Sequence, residues 1–172
     1  MTIRLAERKL RTTFGEFNEI LYYDGQRESI ALVMGTVRGQ TGVLCRIHSA
    51  CLGGHVFNSI ECECAAEMAA AQRSIQEAAS GVIVYLAQEG KGNGHLALMQ
   101  SIPFKEIGHS QSEAYEMAGY PADSRSYREA ADILAELEIV SVVLLSENRG
   151  KAEELRTLGI NVSGQRPLKT DI

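Results

Sequence analysis

Long apolar segments are missing from this sequence. No run approaches the roughly 18 residues that a membrane-spanning helix requires. The first ten residues include Arg4, Glu7, Arg8 and Lys9, and they contain no apolar stretch of the signal-peptide type. We therefore expect a cytoplasmic protein that does not contact a membrane.

An excess of basic residues is also missing. Seventeen lysines and arginines stand against twenty-two aspartates and glutamates, which gives a net charge of −5. Proteins that bind nucleic acids through the phosphate backbone usually carry positive charge, so we expect no nucleic-acid partner. A local basic pocket for a small phosphorylated ligand remains compatible with this charge.

Prolines are few and internal repeats are absent. The chain has three prolines in 172 residues, and 45% of its residues are apolar, which is enough for a buried core. This length predicts a single domain over residues 1–172.

Apolar runs and alanine-rich stretches alternate along the chain and predict its elements. We predict strands over residues 30–37, 43–49, 82–87 and 140–146, and helices over residues 65–79, 129–137 and 150–158. The glycine-rich segment 38–42 indicates a hairpin between the first two strands. Helices that alternate with apolar strands predict an α/β fold with a mixed sheet covered by helices. Functional residues are expected in the loop-rich region 88–123.

The four cysteines give the clearest indication of chemistry. Cys51, Cys62 and Cys64 lie within fourteen positions. In a cytosolic protein, clustered cysteines more often bind metal or catalyse than form disulfides. Three cysteine ligands leave the fourth position of a zinc ion open, as in catalytic sites, and water bound there loses its proton near neutral pH. An alternative, in which these are ordinary core cysteines, remains open.

A fourth ligand could come from Cys45 or His55. Strand alternation places Cys45 on the apolar face of its strand with Val43 and Ile47, so we predict a buried, inert thiol. His55 remains a rival fourth ligand.

Several segments together resemble the GTP cyclohydrolase II family. They follow the family's order and spacing over nearly the whole chain, which is more specific than any single motif. These segments are Arg46–His55, Ser59–Cys64, Gln88–Gly94, Ala122–Arg125, Ser146–Lys151, Gly159–Val162 and Arg166–Leu168.

The resemblance implies a homodimeric zinc enzyme that opens the imidazole ring of GTP. Members release formate from C8 and pyrophosphate from the triphosphate, in the first committed step of riboflavin synthesis. Mg²⁺ could accompany the phosphorylated substrate.

The resemblance also implies roles for individual residues. Cys51, Cys62 and Cys64 match the zinc ligands, Asp123 matches the proposed general base, and Arg125 matches the arginine proposed to act at the α-phosphorus. The positions that match the nucleotide-binding segments are Arg46, His48, Ser49, Glu67, Glu89, Gly90, Lys91, Ser146 and Lys151.

The sequence departs from the family mainly around the expected substrate. The departures are Ala50 for glutamate, His55 for aspartate, Glu61 for arginine, Ala65 for glycine, Glu67 for glutamine, Lys91 for arginine, Ile102 for a catalytic tyrosine and Gln111 for threonine. The sequence ends at Ile172, so little of the family's C-terminal tail follows Leu168.

The changes at Glu61 and Glu67 both make the local charge more negative, so we expect weaker triphosphate binding than in the family. Two alternatives to GTP ring opening therefore stay open. One is the same zinc hydrolysis on a modified purine or a pyrimidine nucleotide, and the other is an inactive zinc-bearing module that binds a nucleotide.

Overall fold

A seven-stranded mixed sheet forms the centre of the molecule. The structure is a computed structural model that describes residues 1–170. The strands are β1 (Ile3–Thr12), β2 (Gly15–Tyr23), β3 (Glu28–Met34), β4 (Val43–Ser49), β5 (Gly81–Leu86), β6 (Val142–Leu145) and β7 (Val162–Arg166). Their order across the sheet is β1-β2-β3-β5-β4-β6-β7. The pairs β1–β2, β2–β3 and β3–β5 are antiparallel. The pairs β5–β4, β4–β6 and β6–β7 are parallel. This confirms the predicted α/β fold with a mixed sheet.

Six helices connect the strands. They are α1 (Leu52–Val56), α2 (Cys64–Ala78), α3 (His95–Glu106), α4 (Gln111–Met117), α5 (Arg128–Glu136) and α6 (Arg149–Thr157). The predicted helices 65–79, 129–137 and 150–158 and the predicted strands 82–87 and 140–146 are confirmed to within two residues at each end. No helix within residues 1–170 is long and apolar enough to span a membrane.

The predicted hairpin between residues 30–37 and 43–49 is wrong. β3 pairs with β5 in the antiparallel sense, and β4 lies on the far side of β5. The glycine-rich link turns towards the segment before β6 instead. Gly39 N donates to Glu138 O at 2.8 Å, and Gly42 N donates to Ser141 Oγ at 2.8 Å. Residues 38–42 therefore connect β3 to β4 across the sheet position that lies between them, and β5 occupies that position.

The core lies on both faces of the sheet. On one face Cys45 and Ile47 pack in a cluster with residues of α5 and α6, including Ile133 and Leu155. On the other face Ile75 of α2 packs in a second, smaller cluster. Cys45 is fully buried and is a free thiol, as the strand alternation predicts.

Loops that follow the parallel strands meet at one edge of the sheet. β4, β5 and β6 end at Ser49, Leu86 and Leu145, and their carboxyl ends point the same way. Ligands of open α/β sheets bind at this kind of edge.

Candidate metal centre and active site

Three cysteine thiols meet beyond the end of β4. Cys51 is the N-cap of α1 and its sulfur accepts a hydrogen bond from Gly54 N at 3.4 Å. Cys64 is the first residue of α2, and Cys62 lies in the preceding turn. The three sulfur atoms lie within 4.8 Å of one another, and those of Cys51 and Cys62 are 3.5 Å apart. The predicted clustering of these residues is confirmed.

The surroundings of the thiols fit a metal ion. A Cβ atom at Gly54 would lie 3.0 Å from the Cys62 sulfur and 3.4 Å from the Cys51 sulfur, so the backbone of α1 forms one wall of the cluster. Burial, together with the neighbouring thiols, raises the pKa of Cys64. If all three groups lost their protons, thiolates this close together would require a compensating cation, and an all-sulfur donor set suits zinc.

His55 does not join the thiol cluster. Its Nδ1 lies 3.3 Å from the Cys51 backbone N, and its Nε2 lies 2.9 Å from Nε2 of His48. The Arg46 Nε lies 3.4 Å from the other His48 nitrogen, Nδ1. Burial and, to a smaller extent, the charge of Arg46 lower the pKa of His48 to about 3, so His48 is neutral. These contacts join the thiol cluster to the interior of the protein.

A cleft of about 380 Å³ opens beside this chain of contacts. Its lining includes Arg46, Glu67 and Ser146, for which the family resemblance implies substrate binding, as well as Glu63 and Glu147. The buried Arg46 donates to Glu67 Oε2 at 2.6 Å and to Leu145 O at 2.9 Å. Three carboxylates and one guanidinium therefore share the lining, and one carboxylate already neutralises the guanidinium.

Lys151 is a second buried cation near this edge. Its Nζ donates to the Ile47 carbonyl at 3.0 Å and lies 5.5 Å from the centroid of the Tyr127 ring. Burial, together with the charges of Arg46 and Arg125, lowers the pKa of Lys151 to about 8. Since its hydrogen bond goes to a backbone carbonyl, the ammonium group is suited to receive an anionic ligand.

Asp123 and Arg125 lie together on the loop before α5. Arg125 donates to Asp123 Oδ1 from its backbone N at 3.0 Å and from Nε at 2.9 Å. Desolvation raises the pKa of Asp123, but the hydrogen bonds and charge of Arg125 outweigh it, so the pKa lies below its usual value. The Asp123 carboxylate and the Arg125 guanidinium are therefore paired with each other.

The loop after β5 holds the Asp123 loop in place. Ser124 N donates to Lys91 O at 2.8 Å, and Asn93 Nδ2 donates to Pro121 O at 2.9 Å. Gly92 has a φ of +83°, and a Cβ atom there would lie 2.6 Å from Ser124 O. Only glycine allows this approach of the two loops.

Four further residues of the expected nucleotide site lie in or beside this loop. Glu89 Oε2 accepts from Leu52 N at 2.8 Å, while its buried Oε1 has no hydrogen-bond partner among residues 1–170. The Lys91 ammonium donates to Ser112 Oγ at 2.8 Å. The Ser49 hydroxyl accepts from Gln88 at 3.2 Å. Gly90 has a φ of +61°, and a Cβ atom there would lie 3.2 Å from the Tyr115 hydroxyl.

Sequence reasoning missed Gly54 and the role of Gln88. Gln88 belongs to the Gln88–Gly94 segment that the sequence singles out, but a single sequence does not show which of its side chains turn inward. Gly54 lies in a Gly-Gly pair after Cys51, and that pair was the available signal for a close approach.

A mixed α/β sheet with three clustered thiols and buried cations at the carboxyl ends of its parallel strands is an arrangement typical of α/β enzymes, and the thiols could hold a metal ion. The family model for GTP cyclohydrolase II matches residues 3–167. The chain belongs to the GTP cyclohydrolase II family.

Individual relatives agree with this assignment. The chain is 39% identical over 166 residues to GTP cyclohydrolase-2 of Histophilus somni strain 2336, covering 95% of this chain and 77% of the relative. It is 42% identical over 168 residues to GTP cyclohydrolase-2 of Streptomyces coelicolor, covering 96% of this chain and 76% of the relative.

A solved structure resembles the fold. It is RibBX, a two-domain 3,4-dihydroxy-2-butanone 4-phosphate synthase from A. baumannii, with a TM-score of 0.53 and 18% identity. The match covers 99% of this chain and 40% of that chain. At this identity the likeness concerns the fold alone.

Proposed function

We propose that this protein is a zinc-dependent hydrolase that opens the imidazole ring of GTP and releases formate and pyrophosphate. The observation that carries the proposal is the cluster of Cys51, Cys62 and Cys64 at the sheet edge where the nucleotide-suited residues meet. The names of the relatives supply the substrate, since they are GTP cyclohydrolases.

The three cysteines would hold the zinc ion. Bound there, zinc supplies a Lewis acid that lowers the pKa of water for attack on the ring carbon C8. The remaining functions fall to side chains of this chain.

Asp123 and Arg125 would act together in the reaction. A phosphate oxygen of the substrate that binds the Arg125 guanidinium competes with the Asp123 carboxylate for it. Release from Arg125 raises the pKa of Asp123 towards its usual value, so the carboxylate becomes a better proton acceptor. In this way binding of the triphosphate would prepare the base.

Two buried cations would receive the triphosphate. Lys151 offers an ammonium group that is held by a carbonyl, and Arg46 offers a guanidinium if the substrate displaces Glu67. Mg²⁺ would offset the remaining phosphate charge.

By analogy with the family, we also propose a cytoplasmic homodimer that serves riboflavin synthesis.

A second candidate is supported by the charge of the cleft. Glu63, Glu67 and Glu147 line it beside a guanidinium that is already paired. This lining suits a ligand with fewer phosphates, or one whose ring offers N–H donors to carboxylates. The same zinc hydrolysis on a modified purine or a pyrimidine nucleotide is therefore the alternative.

Turnover of matched substrates tests the proposal. Zinc-loaded protein is incubated with GTP, GDP, GMP and a panel of modified purine and pyrimidine nucleotides, while ring absorbance and pyrophosphate are followed. Opening of GTP with pyrophosphate release, abolished in Cys62→Ser, supports the proposal. Turnover confined to another ring supports the second candidate, and nucleotide binding without any turnover indicates an inactive binding module.

A further inference from the structure

We infer that Gln88 is a positioning residue, which ties the metal-bearing segment to the Asp123–Arg125 loop and makes the Ser49 hydroxyl a hydrogen-bond donor to the bound nucleotide. The inference deepens the proposed function and rests on it for the identity of the ligand.

The Gln88 side chain is buried and both of its ends are engaged. It is 6% exposed, and it lies two residues after the end of β5. Its Oε1 accepts from Ser126 N at 3.2 Å, and its Nε2 donates to Ser49 Oγ at 3.2 Å. A backbone N–H can only donate, so the amide oxygen has to face Ser126, and this fixes the orientation of the amide.

The two partners of Gln88 belong to the two halves of the site. Ser49 ends β4 two residues before Cys51, and Ser126 directly follows Arg125. A neighbouring contact joins the metal-bearing segment to the same loop, because Glu89 accepts from Leu52 N. The Gln88 side chain therefore links the segment that leads to Cys51 with the loop that carries Asp123 and Arg125.

The fixed amide also sets the polarity of Ser49. A hydroxyl has one proton and two lone pairs, and here the Gln88 NH₂ group occupies a lone pair. The proton is left to donate, and no acceptor for it is found within residues 1–170. An oxygen or ring nitrogen of the nucleotide supplies one. Ser49 is half-buried at the edge of the sheet, where such a ligand would bind.

Gln88→Glu separates the two roles of this side chain. A carboxylate still accepts a hydrogen bond from Ser126 N. It also accepts one from the Ser49 hydroxyl, which then no longer donates to the nucleotide. We expect KM for GTP to rise about tenfold, the effect of one lost hydrogen bond, with kcat within about twofold and zinc content unchanged. Ser49→Ala should raise KM equally, and the double variant should be no worse than either single variant.

Gln88→Met removes both hydrogen bonds at nearly constant volume. We expect kcat to fall as well as KM to rise, because the Asp123–Arg125 loop loses an anchor. Gln26→Glu, the same chemical change at an exposed turn, is the matched control and should leave both constants unchanged. An unchanged KM in Gln88→Glu, or effects of Gln88→Glu and Ser49→Ala that multiply, would overturn the inference.

Thermal unfolding provides a test that needs no turnover. If the wild-type protein does not open GTP, the proposed function fails while the hydrogen bond can still be measured. Gln88→Met and Ser49→Ala should then destabilise the protein non-additively, since they remove the same bond. Additive losses of stability would reject the contact itself.

Discussion

His55 lies between hydrogen-bond donors that it cannot all satisfy. The Arg46 Nε–H and the Cys51 N–H are permanent donors, and each faces an Nδ1 atom of the histidine pair. The two Nε2 atoms also face each other. Each imidazole offers at most one acceptor nitrogen, so the pair offers at most two acceptors, but the three contacts require three. One contact in this row is therefore left without its hydrogen bond.

Replacing His55 with aspartate, the residue that the resemblance to the family implies at this position, should remove this shortage. A carboxylate accepts from both Cys51 N and His48, so all contacts are satisfied. We expect the free energy of unfolding to rise by about 1 kcal/mol, or roughly 2–4 °C in Tm, in a thermal melt of zinc-loaded protein. Gln26→Glu, at an exposed turn, adds a negative charge as a control and should change Tm by less than about 1 °C. A lower Tm in His55→Asp would show that the imidazole is the preferred partner.

Glu67 sets the charge of the cleft through its ion pair with Arg46. Glu67→Gln removes a negative charge and frees the guanidinium for a phosphate, so we expect KM for GTP to fall by roughly threefold to tenfold. Steady-state kinetics check this, with Glu77→Gln as the control at an exposed position of the same helix. If KM rises instead, the Glu67 carboxylate contacts the substrate directly.

Spacing could predict the cysteines of the site but not its hydrogen bonds. Two thiols separated by one residue in a turn can point in similar directions, and a third nearby can join them, so the clustering of Cys51, Cys62 and Cys64 was predictable. The orientation of Gln88 depends on a donor 38 residues away, at Ser126. No local pattern carries that information.

At the scale of elements, the short helix α1 forms one wall of the thiol cluster. Gly53 and Gly54 are consecutive in it, and neither has a positive φ, so alanine is compatible with the backbone at both positions. At Gly53 a Cβ atom would lie 3.5 Å from Ser59 Cβ, an ordinary contact. At Gly54 it would approach the Cys62 sulfur to 3.0 Å.

Gly54→Ala should therefore weaken zinc binding, whereas Gly53→Ala should not. Overpacking of this kind costs about 1–3 kcal/mol, which corresponds to roughly fivefold to 150-fold in affinity. Competition with a chromophoric chelator measures the difference between the two variants. Equal zinc affinities of the two variants would mean that the thiols bind the ion without close contact to the backbone of α1 at Gly54.

The failed hairpin shows where element-level prediction ends. The glycines of residues 38–42 correctly predict a turn, but a turn does not state which strands it brings together. β5 is apolar on both faces, as is typical of a central strand in a sheet covered by helices, and it lies between β3 and β4. The strands themselves were predictable because their periodicity is local, whereas their order depends on contacts distant in sequence.

At the scale of the whole molecule, zinc should contribute to stability. The cysteine-bearing segment 51–64 is joined to the loop after β5 through Leu52, so an ion bound there stabilises the folded state. At a free zinc concentration of 1,000 times Kd the gain is about 4 kcal/mol, or roughly 8–16 °C in Tm. Removal of zinc with a chelator should lower Tm accordingly, and reloading should restore it. Cys62→Ser should respond weakly to both treatments.

The most direct test of the central claim follows the ring carbon itself. Zinc-loaded protein is mixed with GTP labelled with ¹³C at C8, and the product is observed by NMR, with zinc content measured in the same sample. We predict a growing signal of labelled formate from the wild-type protein and none from Cys62→Ser. Stoichiometric zinc in a folded wild-type protein that leaves C8 in the ring would contradict the account.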